Sequence, residues 1–197
     1  MAKRLGIGFI GGGFISRFHI QSLIGVRDVD VHGVYSKTKT SSEETAALAR
    51  VTGVGEAKAY DSITDMVANP DIDALWICAP NYTRMEVMEE IVHAVESGKG
   101  ELIGVTCEKP LGRNVAEAKR MLELAQGADL LDGYLENQVF APSVTRGKEI
   151  VWARGASTTG PPFLARAAEE HSGPHMPWFW EGELQGGGVL NDMMCHS

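Results

Sequence analysis

The chain has 197 residues, 44% of them apolar and 22% charged, the balance of a soluble globular protein with room for one full domain and part of another. Its formal net charge of −8 gives no general attraction for nucleic acid or an anionic membrane, and no run of about 18 apolar residues marks a spanning helix. The basic start, Met1 to Arg4, leads into a stretch too rich in glycine for a secretion signal. The three scattered cysteines, Cys78, Cys107 and Cys195, fit neither a disulfide framework nor a zinc pattern and point to a reducing, cytoplasmic location.

Residues 5–10 are apolar and end in Gly11-Gly12-Gly13, a strand running into a turn. Phe14, Ile15, Phe18, Ile20 and Leu23 then recur near helical spacing, and residues 29–35 alternate as a strand does. Ser41-Ser42-Glu43-Glu44 opens a helix over 41–50, and a short helix over 61–67 closes near Asn69-Pro70. Residues 74–78 are continuously apolar, as in a strand buried on both faces. A helix over 83–96 stops at Gly98; a strand at 102–107, a helix at 115–125 and a sixth strand at 130–134 follow. The alternation predicts βαβ units building an α/β domain over residues 1–134, a doubly wound parallel sheet with helices on both faces.

The character changes after Tyr134. One more helix is expected at 143–154, followed by Gly160-Pro161-Pro162, His171 to His175, Trp178-Phe179-Trp180 and Gly186-Gly187-Gly188. Residues 135–197 read as the start of a second, α+β substrate domain, expected to be incomplete because about 60 residues with few strands struggle to close a core. The chain is expected to be a piece of a longer protein.

Gly11 to Ser16 fits G-x-G-x-x-G/A, with serine in the last place. The first glycine allows the tight turn, the second lets a pyrophosphate approach the backbone, and a small sixth residue lets helix and strand pack closely. The helix N-terminus, at Phe14 and Ile15, then offers free N–H donors to the phosphates. Because the motif follows a strand and opens a helix, it predicts a Rossmann dinucleotide site; a glycine turn without ligand is the alternative. At the end of the second strand, Ser36-Lys37 stands where an NAD site places a carboxylate, and Asp30 lies at the wrong end. A hydroxyl followed by a cation suits a 2′-phosphate, so NADP is preferred to NAD; if Lys37 is only a solvated loop lysine, either cofactor serves.

Cys107-Glu108-Lys109-Pro110 follows the 102–107 strand, and Ala79-Pro80-Asn81-Tyr82-Thr83-Arg84 follows the 74–78 strand. Gly133-Tyr134, Phe140-Ala141-Pro142 and the segment from Gly186 to His196 complete an ordered set. In that order and spacing the chain resembles the glucose–fructose oxidoreductase/inositol dehydrogenase (Gfo/Idh/MocA) family over nearly its whole length. The resemblance implies a Rossmann domain followed by a domain built on a large, mostly antiparallel sheet. It implies hydride transfer between NAD(P) and a hydroxyl-bearing carbon of a sugar, polyol or similar small molecule. It carries over Lys109, Asp192 and His196 as catalytic candidates, with Pro80, Asn81, Glu108 and Lys109 beside the cofactor.

The chemistry of these residues stands on its own terms. Alcohol oxidation needs a base for the hydroxyl proton, a task suited to His196 near neutral pH. Asp192, four residues earlier, would share a helical face with it and orient the ring or hold a substrate hydroxyl. Lys109, at the carboxyl edge of the sheet, would steady the substrate oxygen as charge develops. Each also has a plain reading: a solvated lysine, a satisfied histidine, a local Asp–His contact.

Asn137 and Gln138, just past the sixth strand, are within reach of nicotinamide or substrate, and His171, His175, Trp178 and Trp180 either line the substrate pocket or pack a domain interface. Arg84, where the family often has histidine, reads as the first turn of a helix in preference to a ligand contact. Gly173-Pro174 breaks any helical His-x-x-x-His geometry, so no metal is expected. No Arg-rich pocket suggests a phosphorylated substrate. The full-length protein is expected to self-associate, and a cofactor-binding regulatory protein on the same fold is the competing function.

Overall fold

The computed structural model describes residues 3–170 and 172–196. Six strands, β1 (Leu5–Ile10), β2 (Val29–Tyr35), β3 (Lys58–Tyr60), β4 (Ala74–Ile77), β5 (Gly104–Glu108) and β6 (Leu131–Leu135), form one sheet in the order β3-β2-β1-β4-β5-β6. Every neighbouring pair is parallel. The order turns back between β1 and β4, and such a switch point opens a crevice at the carboxyl ends of the strands.

Period-two alternation sends the two faces of the sheet to different partners. Ile7 and Phe9 of β1 pack with Ile20 and Leu23 of α1 (Phe14–Leu23) and Ala46 and Ala49 of α2 (Lys39–Val51). Ile10, Leu75, Ile77, Val105 and Cys107 meet Met66 of α3 (Ile63–Val67), Val87 and Ile91 of α4 (Arg84–Glu96) and Met121 of α5 (Val115–Gly127). The result is the expected three-layer α/β sandwich. Among the described residues no helix is long and apolar enough to cross a membrane.

Most expected elements appear within a few residues of their predicted bounds. β3 has no run of its own in the sequence reading: it is three residues long, too short to show alternation, and is held by pairing with Gly33 to Tyr35. Helix α2 starts at Lys39 instead of Ser41, because neither serine serves as its cap. The Ser41 hydroxyl donates to Gly12 O and the Ser42 hydroxyl to Lys39 O.

After Leu135 the described residues contain helices and turns and no strand. The helix expected at 143–154 lies within a longer helical run: α6 (Pro142–Lys148), a π-helical stretch (Glu149–Gly155) and α7 (Ala156–Thr159), none of whose residues is buried. Residues 160–170 are exposed and irregular. The chain then returns to the carboxyl edge of the sheet through α8 (Gly182–Gln185) and α9 (Val189–Asp192). There the Arg113 guanidinium donates to Glu183 O at 2.7 Å, Asn191 donates to Gln185 O at 3.1 Å, and Tyr82 meets Trp178 edge-on at 5.9 Å.

Candidate functional site

β1 runs into Gly11 at φ +113°, where a Cβ would stand 2.8 Å from Cys78 O; both the turn and the close approach require glycine. Gly12 O accepts the hydroxyls of Ser41 (2.7 Å) and Thr45 (2.9 Å), which fasten the loop to α2. Gly13 is the N-cap of α1, with no side chain capping the helix, and nothing lies within 4 Å of where its Cβ would be. Bare backbone at a helix N-terminus, with open space above it, is a cradle that fits a pyrophosphate. Ser16, fully buried in the third glycine place, donates to Gly11 O at 2.6 Å and ties the helix to the turn. Phe14 is exposed and Ile15 half-buried at the mouth of this loop.

At the end of β2, Ser36 is half-buried and Lys37 exposed. Asp30 sits at the opposite end of that strand, bonded to Arg4 at 2.6 Å. At the end of β4, Pro80 is half-buried, and the buried Asn81 amide donates to Gln185 O at 2.9 Å, joining the two halves of the chain. Arg84 is the first residue of α4, as its plain reading expects, but its side chain is buried. It donates to Ala79 O (2.8 Å), Glu108 O (2.7 Å), Lys109 O (3.3 Å) and Pro110 O, gripping the backbone that carries Lys109. The Lys109–Pro110 peptide is cis.

Lys109 leaves the end of β5 and its ammonium donates to Asp192 O at 2.8 Å and Asp192 Oδ1 at 3.1 Å. Both side chains are about four-fifths covered, with 21% and 19% exposed, so the ion pair is shielded but open to a small molecule. Glu108 is buried; one oxygen bonds His19 Nε2 at 2.7 Å and the other accepts the Lys109 N–H at 2.9 Å.

The expected Asp192–His196 face does not form. Helix α9 ends at Asp192, and Met194–His196 is a 3-10 turn, so the four-residue spacing no longer stacks the two side chains. Asp192 turns to Lys109, and the imidazole Nδ1 of His196 hydrogen-bonds Glu136 Oε1 instead. Glu136 is buried and also accepts the N–H groups of Gln138 (3.1 Å) and Val139 (2.9 Å). Burial alone would raise its pKa; these donors, with His196 among them, outweigh burial and hold it below the ordinary carboxylate range. The Nδ1 atom of His196 is thereby committed to the Glu136 carboxylate.

His196 and Gln138 line a cavity of about 260 Å³ with Ala167, Ala168 and Glu169. Asn137 is exposed beside it, at the N-cap of the turn Gln138–Phe140. His175 is exposed, while Trp178 is half-buried and stacked on Phe179 at 3.9 Å. Trp180 is exposed, and His171 lies outside the described residues. Among the described residues no group of three His, Cys, Asp or Glu is placed to hold a metal ion.

Sequence reasoning missed two side chains that shape this site. Glu136 was legible as a carboxylate one residue past the sixth strand, the edge where ligands bind in such sheets. His19 had no such signal, because its partner Glu108 lies 89 residues away.

Residues 5–131 match a family model described as an oxidoreductase family, GFO_IDH_MocA, with an NAD-binding Rossmann fold. The chain is 30% identical over 191 residues to a 1,5-anhydro-D-fructose reductase of Ensifer adhaerens, covering 96% of this chain and 53% of that protein. It is 27% identical to a myo-inositol 2-dehydrogenase of Thermotoga maritima, covering 96% and 52%. The chain therefore spans about half the length of these curated relatives. Among solved structures, GenD2 from gentamicin A biosynthesis, in complex with NAD, superposes with a TM-score of 0.77 at 24% identity over 100% of this chain and 52% of its own, a likeness of fold.

Proposed function

Because the chain belongs to the Gfo/Idh/MocA oxidoreductase family, with its NAD-binding Rossmann fold, we propose that it moves a hydride between a nicotinamide cofactor and a hydroxyl-bearing carbon of a sugar, polyol or similar small molecule. The observation that carries this reading is the shielded Lys109–Asp192 pair at the carboxyl edge of the sheet, the same edge at which β1 runs into a glycine loop shaped for a pyrophosphate. Residues 1–134 serve as the cofactor domain, and residues 135–197 begin the substrate domain.

Gly11, Gly13 and the backbone of Phe14 and Ile15 hold the pyrophosphate, with Pro80, Asn81 and Glu108 shaping the far wall of the crevice. Ser36 and Lys37 take a 2′-phosphate, which makes NADP the preferred cofactor over NAD. The nicotinamide, when bound, supplies or accepts the hydride. His196 takes the hydroxyl proton at Nε2 during oxidation and returns it during reduction, while Glu136 fixes its tautomer. Lys109 stabilises negative charge on the substrate oxygen, and Asp192 holds the ammonium in place. Asn137, His175 and Trp178 contribute hydroxyl contacts and an apolar face for the ring. The Cys78 and Cys107 thiols are buried and pushed up by burial, Cys107 to about 11, which suits a reducing cytoplasm.

The test has two arms. Titration with NADPH and NADH, followed by fluorescence, should show tighter NADPH binding that weakens selectively in Lys37→Asp; equal weakening for both cofactors would remove the 2′-phosphate role. Turnover on a sugar and polyol panel should fall about a hundredfold in Glu136→Gln and in Lys109→Met, the scale of a lost acid–base or electrostatic contribution. Cofactor binding without turnover on any alcohol would favour a regulatory protein on this fold.

A further inference from the structure

The helix that opens at the glycine loop also reaches the residue at the end of β5. His19 lies about one and a half turns into α1. Its ring is wedged beside Phe9, with centroids 6.4 Å apart, and edge-on to Trp76 at 5.2 Å. Only 15% of the His19 side chain and 8% of the Glu108 side chain are exposed, so water competes little for the 2.7 Å bond between them. The second Glu108 oxygen accepts the Lys109 N–H at 2.9 Å. A continuous chain of bonds thus runs from α1, through one carboxylate, to the backbone of Lys109.

We infer that His19 is a positioning residue for Lys109: through Glu108 it holds the backbone from which the Lys109 side chain leaves the sheet. This rests on the functional reading of Lys109 above, but the bond chain itself is independent of it. Arg84 fixes the carbonyls of the same segment from the opposite side, leaving the N–H side to Glu108 and His19. Without the imidazole, Glu108 would be a buried carboxylate lacking its side-chain donor, and it would rotate towards water, releasing the Lys109 N–H. Glutamine at position 19 can still present an N–H to the carboxylate; leucine cannot.

The experiment is amide hydrogen exchange by NMR on the wild-type chain, His19→Leu and His19→Gln. In His19→Leu the Lys109 amide should exchange about tenfold faster, the size of one lost hydrogen bond, while the Phe9 and Leu75 amides stay protected. His19→Gln should restore wild-type exchange at Lys109. Unchanged Lys109 exchange in His19→Leu would overturn the proposal, as would equal acceleration at Phe9 and Leu75 or failure of glutamine to rescue. If the wild-type chain binds no nicotinamide cofactor, the functional reading falls, while the exchange pattern still decides whether His19 positions Lys109.

Discussion

At the scale of single residues, two glycines two positions apart do opposite work. Gly11 sits at φ +113° against Cys78 O, so Gly11→Ala strains the backbone and should cost about 1–3 kcal/mol of stability. Gly13 has φ −83° and open space beyond it, and the entropic gain of alanine is offset by the loss of glycine's preference at an N-cap, so Gly13→Ala should leave the melting temperature about unchanged. Its methyl would stand where a pyrophosphate approaches, and nicotinamide cofactor affinity should drop about tenfold or more, equivalent to about 1.4 kcal/mol. Paired thermal melts and cofactor titrations separate the two; a Gly13→Ala chain with unaltered affinity would show that the loop does not cradle the phosphates. Arg84 is the third residue with a clear signature. Arg84→Met abandons carbonyls at 79, 108, 109 and 110 and should destabilise by about 2–4 kcal/mol in urea unfolding. Arg84→Lys should recover little, because one ammonium cannot span four acceptors placed around a planar fork.

At the scale of elements, helix starts decide how loops are held. Asn114 caps α5 by accepting the Glu117 N–H at 3.0 Å, and the Glu117 carboxylate in return accepts the Arg113 N–H at 2.8 Å. This reciprocal arrangement is close to a capping box, and Asn114→Ala should cost about 1 kcal/mol, read from a urea melt. The same Arg113 reaches forward to Glu183 O, so the start of α5 also anchors the returning chain. Legibility differed among elements for physical reasons. β1, α1 and β2 are long and periodic, and their bounds follow from pattern alone. β3 is three residues whose pairing comes from β2, and the Asp192–His196 helix is cut short at Asp192, so neither could be read from local spacing.

At the scale of the whole molecule, acid should unfold the protein through a small set of carboxylates. Asp73, Glu117 and Glu136 are each pushed up by burial, but their donors win: Lys3 and the Gly6 N–H for Asp73, Arg113 for Glu117, and the Gln138 N–H and His196 for Glu136. All three therefore ionise at lower pH folded than unfolded. Their stabilisation is present above the unfolded carboxylate range, about pH 4, and is lost as pH falls through their folded values. Melting temperature should decline steeply below about pH 4, and Asp73→Asn or Glu117→Gln should lower it at neutral pH while flattening the acid slope. An unchanged slope in both variants would mean that these pairs do not govern acid stability.

The sequence by itself determined the alternating α/β architecture and the glycine loop at its first turn, and it singled out Lys109, Asp192 and His196 as candidates through the order of its motifs. All of these are written in local periodicity, in turn chemistry and in ordered motifs. What only the tertiary structure decided is who partners whom. Asp192 pairs with Lys109, His196 with Glu136, Glu108 with His19, and Arg84 with four backbone carbonyls. Those choices join residues up to 89 positions apart, brought together because a parallel sheet delivers every strand's carboxyl end to one edge. Burial there drives these polar groups to find partners, and no local pattern can say which partner each will have.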